Sequence, residues 1–173
     1  MILRLLTSAL CFTMVSCFNT DPNKDTYSEK VMDQNLISKA VPGDYLIADT
    51  VYVPIYSHIY SSTKDTRFLL TATLSIRNTS FKDTLFVSTI DYYDTRGALV
   101  REYLDQPFYL NPMATIDYVV DEQDDLGGSG ANFIVTWSAR NPAMKPLIQA
   151  IMISTNGQQG VSFSVDGVSI ANE

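Results

Sequence analysis

The chain has 173 residues, 46% of them hydrophobic and 18% charged, with a formal net charge of −7. Enough apolar side chains are present to build a core, which excludes a disordered chain. The acidic surplus, with no basic patch to offset it, excludes phosphate backbones as partners, so no nucleic acid is expected.

The first sixteen residues, MILRLLTSALCFTMVS, read as an export signal. Arg4 supplies the positive start and Leu5 to Val15 the apolar stretch. That stretch is too short to span a bilayer as a helix, which takes roughly 20 residues. Met14-Val15-Ser16-Cys17 resembles a lipobox, with Met14 standing where Leu is usual. Cys17 is therefore the expected lipidation site and the new N-terminus. A diacylglycerol on its thiol and a further chain on its amine would give a stable membrane anchor, since two or more chains hold where one does not. Phe18 follows, not the Asp associated with inner-membrane retention, and this favours the outer membrane where the host has one. Losing Arg4 with the signal leaves 11 basic against 19 acidic residues, a charge of −8. Cys11 leaves as well, so the mature chain has one thiol, no internal disulfide and no cysteine zinc cluster.

Residues 17–44 form a lipidated Cys and a polar tether. As coil, this length would span on the order of 30 Å. A short helix could form within Ser28 to Ala40, and Pro42-Gly43 ends the region as a turn. Residues 45–173 then carry β patterning. Leu46 to Ile55 is the first run. Phe68 to Asn78 alternates cleanly, with Phe68, Leu70, Ala72, Leu74 and Ile76 on one face. Leu85 to Tyr93 and Ala98 to Leu104 flank Asp94-Thr95-Arg96-Gly97, a hairpin turn. Thr115 to Val120 alternates, an acidic then Gly-rich loop spans Asp121 to Gly130, and Phe133, Val135, Trp137 and Ala139 share a face. Trp137 is the expected core anchor. Leu147 to Ser154 is apolar nearly throughout, as for a strand covered on both faces. Val161, Phe163 and Val165 form the last strand, after a turn at Asn156 to Gly160. About eight short strands without an intervening long helix predict an all-β, single antiparallel β-sandwich of immunoglobulin-like type.

Several stretches resemble one family. These are VYVP at 51–54 with YSHIY at 56–60, LLTATLSIRNT at 69–79, YYDTRG at 92–97 with REYL at 101–104, GGSGANFIV at 127–135, and GQQG at 157–160. In this order they resemble DUF3124, bacterial exported or lipid-anchored proteins with no assigned function, over about residues 49–165. The resemblance implies an envelope location and no activity. Thr136 stands where it would lead us to expect an acidic residue.

Candidate chemistry is sparse. Tyr52, Tyr56, His58 and Tyr60 share parity, so an extended segment would present them as one aromatic strip able to bind a glycan, peptide or small ligand. Gln158 and Gln159 could hydrogen-bond a polar ligand such as a sugar, though the segment reads first as a turn. His58 is the lone histidine, and there is neither a G-x-S-x-G elbow nor a mature Cys nucleophile beside it. Asp121, Asp124 and Asp125, with Glu122, are hard oxygen ligands that would suit Ca²⁺, without EF-hand spacing and more simply read as a solvated loop. Gly127 to Asn132 would not cradle a phosphate, since a strand follows and carboxylates adjoin it. No cofactor is expected. The reading is a non-catalytic envelope protein, anchored to the membrane by its N-terminal lipid, that binds a protein or glycan. The alternatives are an envelope hydrolase using His58 and the 121–125 loop, and a Ca²⁺-stabilised structural module.

Overall fold

The computed structural model describes residues 43–156 and 159–170. The signal, Cys17, the tether up to residue 42 with its possible helix, and Gln158 lie outside the described residues, whereas Asp44 is described and pairs with Arg140 at 2.9 Å. The period-two runs become strands in the order β1 (Ile47–Ile55), β2 (His58–Ser61), β3 (Thr63–Leu69), β4 (Thr71–Arg77), β5 (Leu85–Tyr93) and β6 (Leu99–Glu102). They continue with β7 (Phe108–Leu110), β8 (Thr115–Val120), a 3-10 turn at Gly128–Gly130, β9 (Ala131–Ala139), β10 (Leu147–Asn156), β11 (Gln159–Asp166) and β12 (Val168–Ile170). Among the described residues no helix is long and apolar enough to cross a membrane.

All the pairings are antiparallel, and the result is an all-β sandwich. One sheet runs β12-β1-β9-β5-β6, with β7 also on β5; the other runs β11-β10-β4-β8. The β2–β3 hairpin forms a separate two-stranded sheet. Between the two large sheets the inward residues meet: Val53, Leu74, Val135, Ile90, Ala150 and Met152 are fully buried. Burial at about 25 cal/mol per Å² of apolar surface is the main stabilising force in a domain whose described part has no disulfide. Trp137 is 4% exposed and sits in β9, between β1 and β5, as expected of an anchor.

Among the described residues twelve strands appear where about eight were expected, because two runs break and short edges add to the count. The Phe68 to Asn78 run is interrupted at Leu70, and β1 ends before Ser57. Both breaks have one cause. Ser57 N–H donates to the Gly128 carbonyl at 2.9 Å, and Leu70 N–H donates to the Ser57 carbonyl at 2.9 Å. The chain thus leaves one sheet and enters the other at a shared corner, and β2–β3 extends beyond it. Pro54 does not break β1, in which it pairs with Asn132. β12 reaches only to Tyr52, so Pro54 lies where β1 has an open edge on that side.

Strand β10 also departs from expectation. Its inward residues Ile148, Ala150 and Met152 are buried, yet Leu147 and Ile153 on the other face are exposed. It is an interior strand between β11 and β4, and among the described residues its outward side chains Leu147 and Ile153 stay exposed. The Asp94 hairpin matches its reading. Gly97 takes φ 79°, and Gly97 N–H donates to the Asp94 carbonyl at 2.9 Å.

Candidate functional site

The tyrosine strip does not survive the corner at Ser57. Tyr52 lies on the outer face of β1, opposite Ile134, while its neighbours Val51 and Val53 enter the core. Tyr56 is half-buried and stacks edge-on against Phe163 of the opposite sheet, with ring centroids 5.8 Å apart. Shared parity fails because the strand is not continuous. Only His58 and Tyr60 remain together, edge-to-face at 5.6 Å.

These two lie on one face of the β2–β3 hairpin. His58 pairs with Leu69 and Tyr60 with Arg67, whereas Ile59 pairs with Phe68 on the other face. Tyr60 is 53% exposed, and Leu69 and Arg67 are exposed as well. His58 itself is buried, and its Nδ1 has no hydrogen-bond partner among the described residues. Burial pushes the imidazole below its ordinary value, and the Arg67 charge adds to this; Asp125 opposes it weakly from a distance. Gln159 is exposed and lies with Phe68 along an open groove on the other face of the hairpin, so it is not part of the His58–Tyr60 surface.

The Gly-rich segment and the tyrosine motif prove to be partners in packing. Tyr92 is fully buried, and its hydroxyl shares a 3.0 Å hydrogen bond with Ser57 Oγ. A Cβ on Gly127 would collide with the Tyr92 hydroxyl. Thr95 Oγ1 donates to the Gly127 carbonyl at 2.9 Å and accepts from Gly130 N–H at 2.9 Å. The glycines therefore allow close approach of Tyr92 and Thr95, and Gly128 N–H and Gly130 N–H donate to the Asp125 carbonyl and to Thr95 Oγ1. Sequence alone gave the glycines as a loop; their true partners lie 32 and 35 residues away.

The acidic loop is tied down in part. Arg101 donates to Asp124 at 2.8 Å and to the Tyr103 hydroxyl at 3.0 Å, with its guanidinium 5.5 Å from the Tyr103 ring centroid. Asp121, Glu122 and Asp125 are exposed. Among the described residues no group of three or more His, Cys, Asp or Glu side chains is gathered to hold a metal ion. Asp124, one of the three Ca²⁺ candidates, already serves Arg101. None of these carboxylates hydrogen-bonds His58 Nδ1, which has no partner among the described residues.

One feature sequence reasoning missed is a groove of about 300 Å³ at the far end of β1. Its wall includes Val51, Trp137, Met144 and Ile148, with Asp49, Lys145 and Ser169 as polar members. Trp137 had been assigned to the core by its strand, and Asp49 carried no motif to mark it.

No curated protein matches the chain. A solved structure described as the crystal structure of Thermotoga maritima 1070 is similar at 12% identity and a TM-score of 0.41, covering 69% of this chain and 92% of that one. Residues 48–170 match the model of a family described as proteins of unknown function. That match spans most of the chain and includes the Tyr92, Thr95 and Gly127 packing just described, and the chain therefore belongs to DUF3124.

Proposed function

We propose that this protein is a lipid-anchored component of the bacterial cell envelope whose β-sandwich binds a protein or glycan partner and performs no catalysis of its own. The anchor is Cys17, at the end of the Met1 to Ser16 signal, and the polar residues up to Asp44 form the leash. The observation that carries the binding reading is the exposed face of the β2–β3 hairpin. There Tyr60 and Arg67 stand opposite each other, with Leu69 alongside, on a hairpin that pairs with neither large sheet. Tyrosine and arginine supply contact area, a hydroxyl and a planar donor fork, the combination common in binding hot spots. The non-catalytic reading is supported by the engagement of the reactive groups. Ser57 and Tyr92 bond to each other, Asp124 bonds to Arg101, and His58 is buried without a carboxylate partner.

Two measurements test this. Mass spectrometry of the native protein should show residues 1–16 removed and acyl chains on Cys17, and Cys17→Ser should leave an exported but unanchored protein. A photo-crosslinking side chain at position 60 or 67 should give discrete adducts in intact cells. The same group at Met113, exposed at the opposite end of the sandwich, should not. Equal labelling at all three positions, or at none, would remove the hairpin as the binding surface.

A further inference from the structure

The geometry points to a second site, independent of the hairpin: the groove between Asp49 and Trp137 binds a small amphiphilic cation, an apolar body carrying an ammonium group. Asp49 and Trp137 are cross-strand partners in the β1–β9 register, which puts their Cβ atoms roughly 5 Å apart. Both line the groove, along with the apolar side chains of Val51, Met144 and Ile148. A volume of about 300 Å³ suits one short apolar group, at the small end of ligand pockets.

The charge chemistry favours a cation. Asp49 Oδ1 accepts from Ser169 Oγ at 2.9 Å and from Thr50 N–H at 2.8 Å. These bonds orient the carboxylate, and Oδ2 has no partner among the described residues. A carboxylate with an indole as its cross-strand neighbour gives an ammonium group an ion contact and an aromatic ring within reach. Trp137 Nε1–H is buried with no partner among the described residues; as a donor it takes no part in holding the cation, which the ring and Asp49 carry. Lys145 also lines the groove; it is exposed, and its charge opposes a cation only through solvent. The net charge of −7 draws cations toward the protein.

Trp137 is the only tryptophan in the chain, so its fluorescence reads this groove directly. The test titrates the full chain, carrying Cys17→Ser to keep it soluble, with phenethylammonium. A saturable change in emission is expected. Phenethyl alcohol, which has the same body without the charge, should bind about tenfold more weakly, and phenylpropionate more weakly still. Asp49→Asn should weaken phenethylammonium by about tenfold with its melting transition retained, while Lys145→Ala should bind at least as tightly as the parent. The comparison of the three compounds on the parent protein stands even where a variant fails to fold. The site is overturned by a flat titration, by an equal response to the anion, or by an Asp49→Asn protein that binds as the parent does. It is also overturned if emission ignores the cation but shifts when residues 18–42 are deleted, which would make the chain's own leash the occupant.

Discussion

Ser57 and Tyr92 are 35 residues apart in sequence, yet their hydroxyls share a buried 3.0 Å hydrogen bond at the corner where β1 turns into β2. The bond ties that corner to β5, and Gly127 makes room for it. Burial, more than any other influence, holds the Tyr92 phenol above its ordinary value, so it stays neutral as a hydrogen-bonding group. Gly127→Ala should destabilise the fold by about 1–3 kcal/mol through overpacking against Tyr92. Tyr92→Phe should cost about 1–3 kcal/mol because Ser57 Oγ loses its buried partner. Urea unfolding midpoints measure both. If Gly127→Ala leaves the midpoint unchanged, the close approach is not what the glycine is for.

A second lock sits at the other end of the sandwich. Asn78 is 2% exposed, and its side-chain amide donates to the carbonyls of Asp83, Leu110 and Asn111 at 2.8, 3.1 and 3.0 Å. Its Oδ1 accepts from Ser80 N–H at 3.0 Å. Asn78→Ala removes one donor group that satisfies three carbonyls, with an expected loss of about 2–3 kcal/mol. Asn78→Asp should be at least as damaging, since a carboxylate would face the same carbonyls. A wild-type midpoint in either variant would show that the loop is held by other contacts.

Asp94 gives a pH dependence with a definite sign. Its Oδ1 accepts from Ala98 N–H and Arg96 N–H, each at 2.8 Å, and Oδ2 accepts from the Arg96 guanidinium. The Ala98 bond is the leading cause that lowers its value below the usual 3.8. A depressed carboxylate stabilises the fold above its unfolded value and loses that contribution as pH falls through the folded value. Stability should therefore decline below about pH 4, and Asp94→Asn should flatten that decline. Thermal melts between pH 2.5 and 6 test this; parallel curves for the two proteins would refute it.

His58 adds a separate, milder window. Its folded value lies below the usual 6.5, chiefly through burial. The unfolded chain then binds the proton more readily, so stability is complete above 6.5 and falls as pH drops through that value toward the folded one. His58→Gln should lack this component while keeping the Asp94 one. Melts from pH 8 to 5 would count against the assignment if the variant loses stability as steeply as the parent.

The architecture was legible because alternation is local. Leu70, Ala72, Leu74 and Ile76 had to share a face whatever they packed on, and Gly97 after Asp94 had to turn. The candidate site was not legible, because parity carries only as far as a strand does. Ser57 interrupts the strand through bonds to Gly128 and Leu70, neither of which is near it in sequence. The aromatic strip was thereby reduced to His58 and Tyr60, and Tyr56 was turned toward Phe163.

The sequence by itself determined the sandwich class, the family stretches and the expectation of a leader ending at Ser16, just before Cys17, since composition, period and short motifs are properties of neighbouring residues. Tertiary structure alone decided that Gly127 serves Tyr92, that Arg101 occupies Asp124, and that Asp49 stands beside Trp137 at the wall of a groove. Those are pairings between distant segments, and they exist only once the two sheets have closed on their shared apolar core.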